Sequence, residues 1–411
     1  MSICMAGIDW EHANMDKREA FSFTNSQVER MCRQIADVAG VDGCVLLSTC
    51  NRTEIYLSGN GACKPAEILC RAAGEAGAEH LFSERTAEEA ERHLMEVACG
   101  LCSQILGEDQ IVSQVKRAYQ IAHEAGTTDA VLSQLFRLAA TAGKRSRTQV
   151  RLSAAPLSVA GQAVALLKDT IGDVRGKRAL VIGNGEMGRL ASSLLVAAGC
   201  QVTVTLRSYR RGQTVVPAGC GTIAYDERMT AVPQCDILLS ATTSPHYTVT
   251  RESMETLARV PDAVCDLSIP RDIDPAIRHL PGVQVFLDMD SMGGRDAQVD
   301  VDSCKQVHDI IDEEMAELLR WKAYRKALPL MDELGRLASE RIATGYDLAV
   351  LSAGEDEQTA DKMEQAARLA AEKTARLLLS SLQGELSDHA LRTCRETMLR
   401  KAPQLRDRRT T

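Results

Sequence analysis

The spacing of hydrophobic positions changes several times along the chain, and each change predicts a different element. Val28, Met31, Ile35 and Val38 recur at helical intervals, so residues 25 to 38 read as an amphipathic helix. The run Val45-Leu46-Leu47 and the alternating Thr53-Glu54-Ile55-Tyr56-Leu57 read as two strands joined by a tight loop at Ser48-Thr49-Cys50-Asn51-Arg52. From Thr86 the pattern turns helical: Leu94, Val97, Leu101 and Ile105 form a stripe, and helices follow over 110–125 and 130–150. A connecting helix after Pro156 runs through Leu167. Lys177 to Ile182 then reads as a buried parallel strand, followed by a helix to about Ala198 and a second strand over 201–205. Further strands are expected at 236–240, 263–267 and 285–287. From about Asp302 a long amphipathic helix carries Val307, Ile310, Ile311, Leu318 and Leu319 and continues past Pro329 to Ile342. Residues 354–358 break the pattern, and helices over 359–382 and 386–401 close it. These terminal helices have no domain of their own to cover. They predict a dimerisation module, with an intramolecular bundle as the competing arrangement.

This order predicts an α/β chain in three parts. An N-terminal α+β domain occupies 1–152, a Rossmann-type domain 153–295, and a long spinal helix with a helical dimerisation domain 296–411. A length of 411 residues, with 45% hydrophobic and 25% charged positions, is enough for each part to bury a core. The fourteen cysteines are scattered, and the first 21 residues are mixed and charged rather than secretory, so free thiols in a reducing cytoplasm are expected. Apolar runs such as Ala179 to Ile182 fall far short of a membrane span. A net charge of −8 excludes a generally basic surface, so any nucleic acid must meet a local patch. Arg137, Lys144, Arg145, Arg147 and Arg151 are the best candidates, because the sevenfold spacing of 137, 144 and 151 puts three of them on one helical face; a merely solvated face is the other reading.

Three stretches carry candidate chemistry. Cys50, flanked by Thr49, Asn51 and Arg52, is either a buried small hydrophobe or a nucleophile, and the pentad alone leaves both open. Cys99 and Cys102 form a Cys-x-x-Cys without a second pair, and His93, six residues before Cys99, does not complete a ligand set, so no metal is expected. Gly183-Asn184-Gly185-Glu186-Met187-Gly188, with a strand before it and a helix after, is a dinucleotide-binding turn. At the end of the second strand, Leu206-Arg207-Ser208-Tyr209-Arg210-Arg211 contains no acid before Asp226; Arg207 and Ser208 suit a 2′-phosphate and favour NADP over NAD, unless these arginines are simply exposed.

In this order the parts resemble the glutamyl-tRNA reductase family. Ser48-Thr49-Cys50-Asn51-Arg52-Thr53-Glu54 matches its nucleophile motif, and Gly107 to Lys116 resembles its second block. Gly183 to Gly188, Ser240-Ala241-Thr242 and Asp266 to Pro275 match its nucleotide domain. The resemblance implies NADPH-dependent reduction of the glutamyl group of glutamyl-tRNA(Glu) to glutamate-1-semialdehyde, the opening step of five-carbon tetrapyrrole synthesis. It implies Cys50 as nucleophile and His93 as its catalytic partner. Thr49, Asn51, Arg52, Ser103, Glu108, Asp109, Gln110 and Gln114 become the glutamyl site, with Arg52 gripping a carboxylate in bidentate fashion. It further implies a homodimer and a possible aminomutase partner that receives the aldehyde. The nucleotide domain then has to swing or reach toward Cys50. Departures from the family occur at Asp9, Trp10 and Glu11, at Asp109 in place of a proline, and at Cys102 in place of an acid. They leave room for a reductase of another acyl donor or for a divergent, non-catalytic NADP-binding paralogue.

Overall fold

The computed structural model describes residues 2–400 apart from Cys50, 60–62, Asp109, 151–157, 208–214, 293–300, 354–356 and 382–387. Two compact units divide the chain, Met1–Met315 and Ala316–Thr411.

The first unit holds two sheets. Strands β1 (Ser2–Asp9), β2 (Val41–Ser48), β3 (Arg52–Gly59) and β4 (Ser83–Thr86) form an antiparallel sheet in the order β2-β3-β1-β4. Around it lie helices α1 (Met15–Glu19), α2 (Asn25–Ala36), α3 (Pro65–Ala73), α4 (Ala87–Ala98), α5 (Ile111–Glu124) and α6 (Ala130–Gln149). Local chemistry sets the helix starts. Thr24 and Gln27 cap α2 reciprocally, and Asp129 accepts the Leu132 N–H at 2.8 Å to open α6. The predicted strand pair and the helices at 25–38, 110–125 and 130–150 are all present, with α2 ending slightly early. Strands β1 and β4 and helix α3 were not anticipated.

The second sheet follows helix α7 (Val159–Ile171). It comprises β5 (Arg178–Ile182), β6 (Gln201–Leu206), β7 (Cys220–Ala224), β8 (Ile237–Ser240), β9 (Ala263–Asp266) and β10 (Val285–Leu287), with α8 (Glu186–Ala197) between β5 and β6 and the short α9 (Arg228–Ala231) and α10 (Arg251–Glu255) beyond β7 and β8. All pairings are parallel, in the order β7-β6-β5-β8-β9-β10. The order reverses at β5/β8, where a doubly wound sheet opens a ligand crevice beyond its carboxyl ends. The strand period of two divides the buried side chains into two cores. Ala179, Val181, Ile237 and Leu239 pack in one; Leu180, Ile182, Leu238 and Val264 pack in the other.

Helix α11 (Val301–Ala353) contains Pro329, and α12 (Glu357–Ser381) and α13 (Asp388–Arg400) follow. Within the second unit Met331 and Leu334 of α11 share a small core with Leu391 of α13, Arg395 pairs with Glu333 at 2.7 Å, and Arg376 with Asp332 at 3.2 Å. The terminal helices therefore do pack on one another within the chain. No described helix is long and apolar enough to cross a membrane, and every described cysteine is a free thiol.

Candidate active site

The β2–β3 hairpin turns in a very short loop. Ser48 is in register with Thr53, and Thr49 N–H donates to the Arg52 carbonyl at 2.9 Å. The Thr49 hydroxyl accepts from the N–H groups of Asn51 and Arg52, both at 3.2 Å. Beneath it, Thr53 Oγ1 donates to the Phe21 carbonyl at 2.8 Å. Cys50 lies outside the described residues, but the backbone on either side of it is pinned. The Asn51 amide is buried and neither of its polar atoms has a partner.

Strand alternation places Arg52, Glu54 and Tyr56 on one face of β3. Burying a charge is costly unless it is paired, and here the pairing is dense. Glu54 Oε1 receives Arg52 Nη1 at 2.8 Å and lies 2.9 Å from His93 Nε2, while Oε2 receives the Tyr56 hydroxyl at 2.7 Å. Burial pushes the Glu54 carboxyl up, but His93, Arg52 and the hydrogen bonds outweigh it and hold Glu54 well below the usual carboxylate range. Burial likewise opposes charge on Arg52, and Glu54 more than restores it. Because ionised Glu54 can only accept, His93 Nε2 carries the proton of that hydrogen bond. Glu54 and Tyr56 form the hub of this site, yet the sequence reading assigned them no chemical role.

Arg52, expected to grip a substrate carboxylate in bidentate fashion, donates here from Nη1 to Glu54 at 2.8 Å and from Nη2 to the Cys102 carbonyl, two of its five N–H donors. Trp10 Nε1 reaches that same carbonyl at 3.5 Å, so two of the family departures, Trp10 and Cys102, meet at one atom. Asp9 instead ties down its own loop through the N–H groups of Glu11 and His12. Ser103 and Glu108 are buried in the turn that follows α4. Asp109 lies outside the described residues.

The nucleotide crevice is built largely by what its glycines lack. At Gly183, with φ +105°, a Cβ would stand 2.5 Å from the Ala241 carbonyl oxygen, and at Gly188 one would stand 2.1 Å from that of Gly183. At Gly185 a Cβ would meet nothing within 4 Å, and the Gly185 N-cap of α8 has no side-chain cap. The helix start thus offers open N–H donors and space, which suits a pyrophosphate. Asp272 fixes the rim opposite: its carboxylate accepts from Ser240 Oγ at 2.7 Å, Thr242 N at 2.8 Å and Ser268 Oγ at 2.6 Å. A cavity of about 130 Å³ runs along Gly183, Asn184, Gly185, Arg207 and Tyr225. Tyr225 is covered by two guanidiniums, Arg207 at 4.6 Å and Arg228 at 4.2 Å from its ring centroid. Neither Tyr225 nor Arg228 was singled out beforehand, because their contact depends on strand β7, which the pattern did not reveal. Ser208 lies outside the described residues.

A larger cavity, about 560 Å³, joins the halves. Ser48, Thr49, Gln110 and Gln114 line it from one side, Gly185, Glu186, Met187 and Thr242 from the other. Helix α1 clasps the domains together. Arg18 pairs with Asp290, Arg271 Nη1 with Asp16 at 2.6 Å, and the Arg271 N–H donates to Glu19 at 2.7 Å. Met15 and Ile105 extend into the nucleotide domain's own core.

Of the basic residues on α6, Arg145 is taken by Glu313 at 2.6 Å and Glu314 at 2.9 Å. Arg137, Lys144 and Arg147 are exposed, and Arg151 lies outside the described residues. Lys116 on α5 stands beside Lys144; partial burial and that neighbouring charge both lower its pKa.

Residues 6–150 match the family model of the glutamyl-tRNA(Glu) reductase N-terminal domain, and residues 165–293 match that of shikimate/quinate 5-dehydrogenase. A glutamyl-tRNA reductase of Acetivibrio thermocellus is 40% identical over 80% of this chain and 100% of its own length. A probable multifunctional siroheme biosynthesis protein of Ruminiclostridium josui is 41% identical over 79% of this chain, which spans 64% of that longer protein. The solved glutamyl-tRNA reductase of Methanopyrus kandleri is 27% identical, covering 97% of this chain and 98% of its own, with a TM-score of 0.45.

Proposed function

The chain belongs to the glutamyl-tRNA reductase family, and from that premise we propose that it reduces the glutamyl group of glutamyl-tRNA(Glu) to glutamate-1-semialdehyde, for tetrapyrrole synthesis, through a thioester on Cys50. The observation that carries the mechanism is the shared cavity, in which Thr49, Gln110 and Gln114 face Gly185 and Thr242. The Cys50 thiolate attacks the aminoacyl ester carbonyl, an S–C bond forms, and the ribose hydroxyl leaves with a proton. NADPH supplies, when bound, the hydride that takes the acyl carbon to the aldehyde level. The C–S bond then breaks and returns the thiolate. His93 is held with Nε2 on Glu54, which leaves Nδ1 for proton transfer at the acyl oxygen. Gln110 and Gln114 bind the glutamyl group from one helical face. With its guanidinium engaged, Arg52 contributes positive charge and anchors the loop.

NADPH over NADH is supported by Arg207 and Arg228 around Tyr225, and no carboxylate is among the described residues lining that cavity. The pair Lys116 and Lys144, with Arg137 and Arg147, is the surface we assign to tRNA phosphates. We keep as part of this reading a cytoplasmic homodimer closed by the terminal helices, in which Leu369 of α12 is 54% exposed, and an aminomutase that accepts the aldehyde.

The decisive experiment incubates the protein with charged glutamyl-tRNA and NADPH beside a Cys50→Ser variant. Aldehyde from the wild type and none from the variant is expected. Reduction that proceeds equally well on an acyl thioester without tRNA would instead identify a reductase of another donor.

A further inference from the structure

Along the sequence Cys99 and Cys102 stand as a Cys-x-x-Cys without the further ligands a metal site needs. The fold makes a different set. His93 and Glu96 stand three apart on α4 and so share a face. Beyond the helix end, Gly100 adopts φ +77°, and a Cβ there would lie 2.9 Å from Gly107 Cα. This turn is held by the Gly107 N–H on the Gly100 carbonyl at 3.0 Å, and it brings Cys102 back over the helix. One ligand atom each from His93, Glu96 and Cys102 then lies within 4.8 Å of the others. We propose that His93, Glu96 and Cys102 form a binding site for a thiophilic divalent cation of the zinc type.

Four observations support this. Imidazole, thiolate and carboxylate together are a zinc-type donor set, and three protein ligands leave a fourth position for water. Ligands on a tetrahedral zinc ion stand roughly 3.5 Å apart, so side-chain adjustments of about 1 Å close the cluster. Glu54 accepts from His93 Nε2, the kind of outer-shell carboxylate that fixes a metal-binding imidazole. The charges also balance: Arg52 is neutralised by Glu54, and a dication on one thiolate and one carboxylate is neutral overall.

The inference rests on this geometry and not on the reductase reading. A bound ion takes up His93, which that reading uses for proton transfer, so the metal-loaded and the reducing states exclude one another, and the test needs no turnover. The full-length protein is dialysed against zinc, freed of excess and analysed for metal; cobalt(II) is titrated in parallel while visible and near-ultraviolet spectra are recorded. One ion per chain and a thiolate-to-cobalt charge-transfer band are expected. Cys102→Ser should abolish the band and Glu96→Gln should weaken binding by roughly 10-fold or more. Cys99→Ala, which disturbs the neighbouring buried thiol, and Cys50→Ser should both retain the band, which separates ligand loss from misfolding. Metal well below one per chain, or a band that survives Cys102→Ser, overturns the proposal.

Discussion

The two crevices of the first unit solve opposite problems. Around β3 the site is crowded with ionisable side chains, and each is buried against a partner: Arg52, Glu54, Tyr56 and His93 hold one another. At the β5–α8 turn the site consists of missing side chains, with glycine letting backbone approach backbone or leaving space. Charge pairing fixes the first, so its failures are electrostatic and also cost stability. Steric permission fixes the second, so each glycine has its own consequence, depending on whether protein or ligand fills the space.

The largest expected effect comes from unbalancing the charged crevice. Glu54→Gln leaves Arg52 buried without a counter-charge and should lower unfolding free energy by about 3–5 kcal/mol, as read by denaturant titration. Since Glu54 is depressed in the folded state, its contribution is complete above its unfolded value of about 4.3 and declines as pH falls through lower values. The variant should lack that part of the acid destabilisation. Equal acid profiles for the two proteins would show that Glu54 is not held by its partners.

In the glycine crevice the next effect is on cofactor choice. Arg207→Ala should reduce the preference for NADPH over NADH in kcat/KM by about 10- to 100-fold, the worth of one charge-assisted contact, and leave the NADH value nearly unchanged. An unaltered ratio would move the 2′-phosphate elsewhere. The comparison is sharpened last by a pair of alanines. Gly188→Ala collides with the Gly183 carbonyl and should cost about 1–3 kcal/mol of stability. Gly185→Ala meets nothing and should leave stability within about 0.5 kcal/mol while raising KM for the nucleotide. Reversal of these two outcomes would show that the ligand approaches a different glycine.

The glycine turn was legible in the sequence because its three glycines lie within one strand, turn and helix, whereas Tyr225 and Arg228 beyond it were not. The charged crevice was legible only in part. Arg52 stood out in the loop pentad beside Cys50 and His93 came forward through resemblance, while Glu54 and Tyr56 were read as steps in a strand alternation. A signal was available: three polar or ionisable residues at 52, 54 and 56 share one face of a strand buried along its whole length. The cluster of His93, Glu96 and Cys102 was hidden for a different reason. Its first two members follow helical spacing, but the third arrives through a left-handed glycine whose effect no periodicity reports. Strands β1 and β4 escaped because a near-continuous apolar segment and a short polar one both lack the alternation that marks an amphipathic strand.

The clasp made by α1 bears on reaction order. Two groups on freely moving domains must find one another by diffusion within the tether's reach, at an effective concentration of the order of millimolar. Arg18 and Arg271 are themselves almost fully buried where they grip Asp290, Asp16 and Glu19, so the domains they join are spared most of that search. Well-oriented intramolecular reactions reach effective molarities of about 10⁵–10⁸ M. A five-residue helix that carries none of the reacting groups thus determines whether two half-sites act as neighbours or as strangers on one chain.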